Sequence, residues 1–267
     1  MNALQLDEIV IVGGGCYGTF YTHQLVEARK RGKVEFRRLL VVDRNPECQA
    51  AGDLIGDPSR QLVVQDWDAF FDRYLEKAAQ PPNRRAAEPR PSDLQERDSA
   101  TRERGNPSGP SVIVPSPLMP HLMYQWLMRR ARARWPARVV ESRALSEGPG
   151  TPYDVSSPDL VRYVSFADWI CPTHCTEPSR CPVIRGPRTW EMKEAIADLA
   201  ARLRMPAPIL FECRHQVFAV GSFSVAEVVA GDRVVAEAGS RGEETDLLVG
   251  TVSACHGALN LLHLGPA

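Results

Sequence analysis

Cys171, His174, Cys175 and Cys181 fall within eleven residues of a chain that holds seven cysteines in all. Thiolates and imidazoles in that density are ligands for zinc or for an iron–sulfur cluster. Pro172 and Pro182 directly follow two of the cysteines. Each fixes its own φ and stiffens the loop, which lowers the entropy lost when thiolates gather round one ion. The spacing C-x3-C-x5-C matches neither a zinc ribbon nor the ferredoxin run, so it points to a site without naming its metal. A fourth ligand would be His174 itself, or Cys213 or Cys255 from further along the chain. Those two have His215 and His256 as near neighbours. Redox-active thiols are an alternative chemistry, and a lone Cys213 or Cys255 is as a rule a small buried hydrophobe.

A second set of residues concerns phosphate. Ile9–Val12 is apolar at every position, as in a strand covered on both faces, and Gly13, Gly15 and Gly18 follow it in G-x-G-x-x-G order. The first glycine allows a tight turn, the second lets backbone N–H groups approach a diphosphate, and the third lets a helix pack closely on the strand. A second apolar run, Leu39–Val42, ends at Asp43, whose carboxylate is placed to accept hydrogen bonds from a ribose.

Strand, turn, helix, strand and acid in that order resemble the Rossmann-type NAD(P)-binding superfamily over about the first 45 residues. The resemblance implies a phosphate loop at Gly13, Gly15, Cys16, Tyr17 and Gly18, and a ribose-binding acid at Asp43. Asp43 favours NAD over NADP by repelling a 2′-phosphate. Arg44 argues the other way, since a guanidinium there binds that phosphate or stacks on adenine. FAD uses the same opening turn and stays an alternative. The interval from Gly18 to Asp43 is longer than usual, and the polar stretch 29–35 absorbs the excess as a longer connection.

These residues need a frame to bring them together. The implied fold is a single α/β domain over residues 1–267, with a doubly wound, mostly parallel Rossmann-like sheet. Gln61–Gln65 reads as a third strand, followed by an amphipathic helix through Lys77. Residues 79–110 are rich in proline, arginine and acids, nearly lack large apolar side chains, and are expected to be a disordered insertion. Residues 111–114 form a strand, and a helix runs to about Arg134. Strands are expected at 137–141 and 161–167, the cysteine-rich metal-binding loop at 168–190, and a helix from Trp190 to Arg204. Ile209–Phe211 is a short strand, Val225–Ala236 reads as hairpin material, Leu247–Val252 as the last strand, and Leu259, Leu261 and Leu262 as part of a final helix. In an open parallel sheet the loops leaving the carboxyl ends of strands share one edge. The glycine turn, Asp43, His121, Cys213 and Cys255-His256 all follow expected strands, so they converge on one site. His121, after the fourth strand, is the candidate proton donor or acceptor.

A net charge of −1 gives no argument for nucleic acid or an anionic membrane. Ile9–Val12 is too short for a signal-peptide core, and nothing nears the ~20 apolar residues of a membrane span, which places the chain in the cytoplasm. The expected ligands are a dinucleotide and a small molecule. The functional expectation is an NAD(P)-binding oxidoreductase with a cysteine-ligated zinc or iron–sulfur site. The alternative is a non-catalytic nucleotide- or metal-binding redox sensor or accessory subunit.

Overall fold

The computed structural model describes residues 3–80, 109–167 and 175–267. Most of the 79–110 insertion and the start of the cysteine-rich loop, with Cys171 and His174, lie outside these residues.

The first half builds as its hydrophobic pattern dictates. β1 (Leu4–Val12), α1 (Cys16–Lys30), β2 (Val34–Asp43), β3 (Arg60–Val64), α2 (Trp67–Ala79) and β4 (Val112–Val114) succeed one another. β1 pairs in parallel with both β2 and β4, and β2 with β3, giving the spatial order β3-β2-β1-β4. Ile9, Ile11, Leu39 and Val41 face α1, whereas Val10, Val12, Leu40 and Val42 face the interior, so both surfaces of these strands are covered.

Beyond β4 the architecture departs from the expected one. The chain continues through α3 (Leu122–Arg134), β5 (Val140–Arg143), β6 (Tyr153–Ser156), β7 (Arg162–Ser165) and a small ladder of β8 (Arg180–Cys181) and β9 (Gly186–Pro187). Then come α4 (Met192–Arg202), β10 (Ile209–Glu212), β11 (Arg214–Val217), β12 (Val220–Ser224), α5 (Val225–Ser240), β13 (Thr245–Val252) and β14 (His256–Leu264). The mostly parallel, doubly wound sheet is therefore corrected. Among the described residues there are two six-stranded mixed sheets, one ordered β11-β12-β4-β1-β2-β3 and the other β10-β13-β14-β7-β6 with β5 also on β14. β12 lies antiparallel on β4, and β14 is antiparallel to β13, β7 and β5. The reason is connection length. A parallel neighbour needs a crossover of a dozen or more residues, while β11–β12 and β13–β14 are joined by tight hairpins.

Two elements change type. Val225–Ala236 is not hairpin material but most of α5. Its valines suggest a strand, yet Val225, Val228, Val229, Asp232 and Val235 are buried at helical spacing. Ser224 and Glu227 form a reciprocal capping box that starts the helix. The expected final helix is instead strand β14, and β13 is not the last strand. Leu259 and Leu261 pack toward α4 while Leu262 and Leu264 pack toward α3 and α5, so a continuous apolar run serves a strand buried on both sides.

α2, α3 and α5 form a layer between the two sheets, with one core cluster reaching from Val10 and Leu40 on one side to Leu247 and Leu262 on the other. α1 and α4 cover the outer faces. Within the middle layer Asp232 of α5 is nearly buried and meets Arg130 at 3.4 Å, and Arg134 more closely, both from α3. Asp232→Ala leaves two arginines facing a gap. Breaking a fully buried pair costs about 3–5 kcal/mol, and partial solvation of the arginines reduces this to about 2 kcal/mol. Denaturant unfolding should show that loss as a lower midpoint with unchanged slope.

Candidate functional site

The glycine turn forms as its spacing requires. Gly13 has φ +83°, and a Cβ on Gly18 would lie 1.8 Å from the Gly13 carbonyl oxygen, so the helix touches the turn there. Gly15 caps α1 without any side-chain hydrogen bond, and Cys16 opens the helix exposed to solvent. Asp43 binds the chain itself: its carboxylate accepts from Gly14 N–H at 2.6 Å and Asn45 N–H at 2.8 Å. Cys48 lies against Gly14, and Ala50 N–H donates to the Gly14 carbonyl, so the segment after β2 closes over this side of the turn. Arg44 pairs with Asp66 at 2.9 Å and stacks over Trp67.

A cavity borders α1 through Tyr17 and Tyr21. The chain passes from the second sheet to the first between β10 and β11, and Cys213 occupies that crossing, its N–H held by the Val252 carbonyl at the end of β13. The cavity opens around this junction, with a volume of about 400 Å³. Tyr17 and Tyr21 of α1 and the segment Pro115–Leu118 after β4 form an apolar side. Cys175, Cys181, Cys213, Cys255, His215 and His256 line the cavity as well. Four cysteines from three separate segments thus line one cavity. Among the described residues, no three histidine, cysteine, aspartate or glutamate side chains are already gathered as a metal-holding group.

Glu177 ties these segments together, and nothing in the local sequence singles it out. Its carboxylate accepts from the Ser253 hydroxyl, from Ala254 N–H at 3.0 Å and from Cys255 N–H at 3.1 Å. It faces His215 Nδ1 at 3.4 Å, an ion-pair distance, although that nitrogen is not aligned for a hydrogen bond. Burial alone would push the Glu177 carboxyl up. His215, the Ser253 hydroxyl and the Ala254 N–H stabilise the ionised form and bring it down to about 2.

The thiols respond in the opposite direction. Burial, helped by the negative Glu177 and Glu227, pushes the Cys213 thiol far up. Burial also raises Cys255 to about 12, despite the Trp190 indole N–H that donates to its sulfur at 3.4 Å. His256 is lowered, chiefly by burial and against the pull of Glu177. Arg188 reaches the cavity while its guanidinium binds Glu191 at 2.5 Å and the Trp190 carbonyl.

A family model described as "AF_1314_C: Uncharacterized protein, C-terminal domain" matches residues 123–265. The chain belongs to that family. No curated protein and no solved structure matches it. The segment shared with the AF_1314_C family contains Glu177 and all the cysteines and histidines of the cavity wall, while the glycine turn and Asp43 precede it.

The structure thus brings Cys175, Cys181, Cys213 and Cys255 together with Tyr17, and leaves Asp43 and Arg44 outside the cavity. His121 precedes α3 next to lining residue Pro120 but does not line the cavity; its Nδ1 is buried without a hydrogen-bond partner, and burial lowers its pKa. Glu177, Arg188, Trp190 and Tyr21 were not found by sequence reasoning. Their roles depend on contacts between distant segments. Thiolate fraction and access set alkylation rates. Metal-free protein at pH 8 should therefore alkylate at Cys16 at least about tenfold faster than at Cys213, as read by peptide mass spectrometry.

Proposed function

We propose that the cavity holds a thiophilic metal centre, zinc or an iron–sulfur cluster, and that the chain is an oxidoreductase acting on a small molecule beside it. The observation that carries this reading is that Cys175, Cys181, Cys213 and Cys255 line one cavity with His215 and His256. Soft thiolates and imidazoles are the ligand set for such metals. Because the groups converge without being preassembled, the ion itself would draw them in, which couples metal binding to local folding. The cavity as a whole, about 400 Å³, is of a size for a small molecule.

A zinc centre would either tie the 175–182 loop to the sheets or polarise an oxygen of the substrate as a Lewis acid. An iron–sulfur centre would relay single electrons. Anaerobically purified full-length protein should carry about one zinc per chain, or show the brown colour of a cluster. Cys213→Ser and Cys255→Ser should each lose the metal, and Cys16→Ser should keep it. Wild-type protein that stays colourless and metal-free after reconstitution with zinc and with iron and sulfide would refute the metal centre.

Dinucleotide binding is favoured by one further observation. The first turn of α1 has no side-chain cap, and Tyr17 and Tyr21 lead from it into the cavity. Uncapped N–H groups at a helix start suit a phosphate. A ribose would have to compete with Gly14 and Asn45 for Asp43. Calorimetric titration with NAD, NADP and FAD decides which is bound, and Tyr17→Ala should weaken that binding about tenfold through lost aromatic contact. NADH oxidation with an added acceptor supports the oxidoreductase; tight binding without turnover supports the sensor or accessory subunit. No helix among the described residues is long and apolar enough to cross a membrane.

A further inference from the structure

We infer that Glu177 is the positioning residue of the cavity, a carboxylate clamp that holds the segment bearing Cys175 and Cys181 against the turn bearing Cys255. The functional meaning of this clamp rests on the metal reading above, whereas its geometry does not. Three donors, the Ser253 hydroxyl and the N–H groups of Ala254 and Cys255, converge on its two oxygens. His215 adds positive character at 3.4 Å when protonated. All three donors come from the turn between β13 and β14. Ser253 Oγ in turn accepts from the backbone N–H of His256 at 3.2 Å, which ties the clamp to the start of β14.

On its own segment Glu177 adopts a left-handed backbone with φ +51°, unusual for a side chain with a Cβ. Its N–H points to the Cys175 sulfur at 3.4 Å. The backbone thus accepts an unfavourable conformation while the side chain is bound at the far end. That combination fits a residue kept for what its carboxylate holds, and a glycine would relax the same turn.

Two variants separate these roles. Glu177→Gln keeps the shape, but its NH2 group must face a donor, because each carboxylate oxygen meets a backbone N–H, Ala254 on one and Cys255 on the other. Glu177→Gly removes the clamp and relieves the backbone. In metal-free full-length protein, both should raise N-ethylmaleimide labelling of Cys255 and Cys181 about ten- to a hundredfold through local opening. Cys48, buried elsewhere under the glycine turn, should keep its rate. A thermal melt of Glu177→Gly close to wild type, with fast Cys255 labelling, supports the clamp. Labelling of Cys255 and Cys181 at the wild-type rate in both variants overturns it.

Zinc competition against a chelator then tests the clamp's function. Where wild type binds zinc, the variants should bind about 10–100-fold more weakly, as for partners that orient metal ligands. Unchanged affinity overturns that role. If wild type binds neither zinc nor a cluster, the metal reading fails, and the labelling result alone decides the clamp.

Discussion

One helical layer has to serve two sheets. α2, α3 and α5 are packed from both sides, so their apolar surface must extend round more of the helix than the single stripe of a surface helix. α5 meets this demand with a buried stripe of valines. α3 meets it with Leu122, Met123, Trp126, Leu127 and Met128, and with arginines whose charge is turned onto Asp232. Two sheets sharing one layer also need chain crossings between them: β4 to β5 through α3, β12 to β13 through α5, and the direct step from β10 to β11. The cavity lies at that last crossing, the one made without a helix, where Cys213 joins the two sheets.

The first 80 residues were legible because their connections are long and the central strands β1 and β2 carry apolar runs covered on both faces. The parallel pairing of β1 with β2 follows from two apolar runs separated by a helical pattern, and β3 then adds to the free edge of β2. The mixed character of the rest had no comparable signal. The β11–β12 hairpin turns at Phe218 and Ala219, both with positive φ, where Asn and Gly are the usual markers. Hydrophobic pattern alone could not separate β14 from a helix either. A strand buried on both faces loses its alternation, and the composition of Gly257–Leu264 suits either element. α5 was the reverse case, with β-branched residues in a helix whose packing outweighs their propensity.

For the site, the residue types were legible and the partnerships were not. The dense cysteine loop and the Cys-His pairs at 213–215 and 255–256 announced themselves by composition, and Cys175, Cys181, Cys213 and Cys255 line one cavity. Asp43 shows the limit of motif reasoning. An acid after a second strand has the same sequence signature whether it waits for a ribose or binds Gly14, and only the fold of residues 44–50 distinguishes the two. Glu177 shows the converse. Its partners lie more than 70 residues away on a hairpin the sequence did not reveal.

The opposite perturbations of Glu177 and its neighbouring thiols have one cause. Burial penalises charge on all of them, and the sign of each outcome depends on whether donors compensate. Glu177 receives a hydroxyl, two backbone N–H groups and a facing imidazole, so it stays ionised. Cys213 receives no such set, and Cys255 has only an indole N–H, so a thiolate beside Glu177 would add a second buried negative charge. Protons therefore stay on these sulfurs in the protein alone. A bound cation reverses the balance, because it supplies the missing positive charge and deprotonates the thiols it binds. The carboxylate that holds the wall in place also makes the wall more attractive to a cation than to an anion.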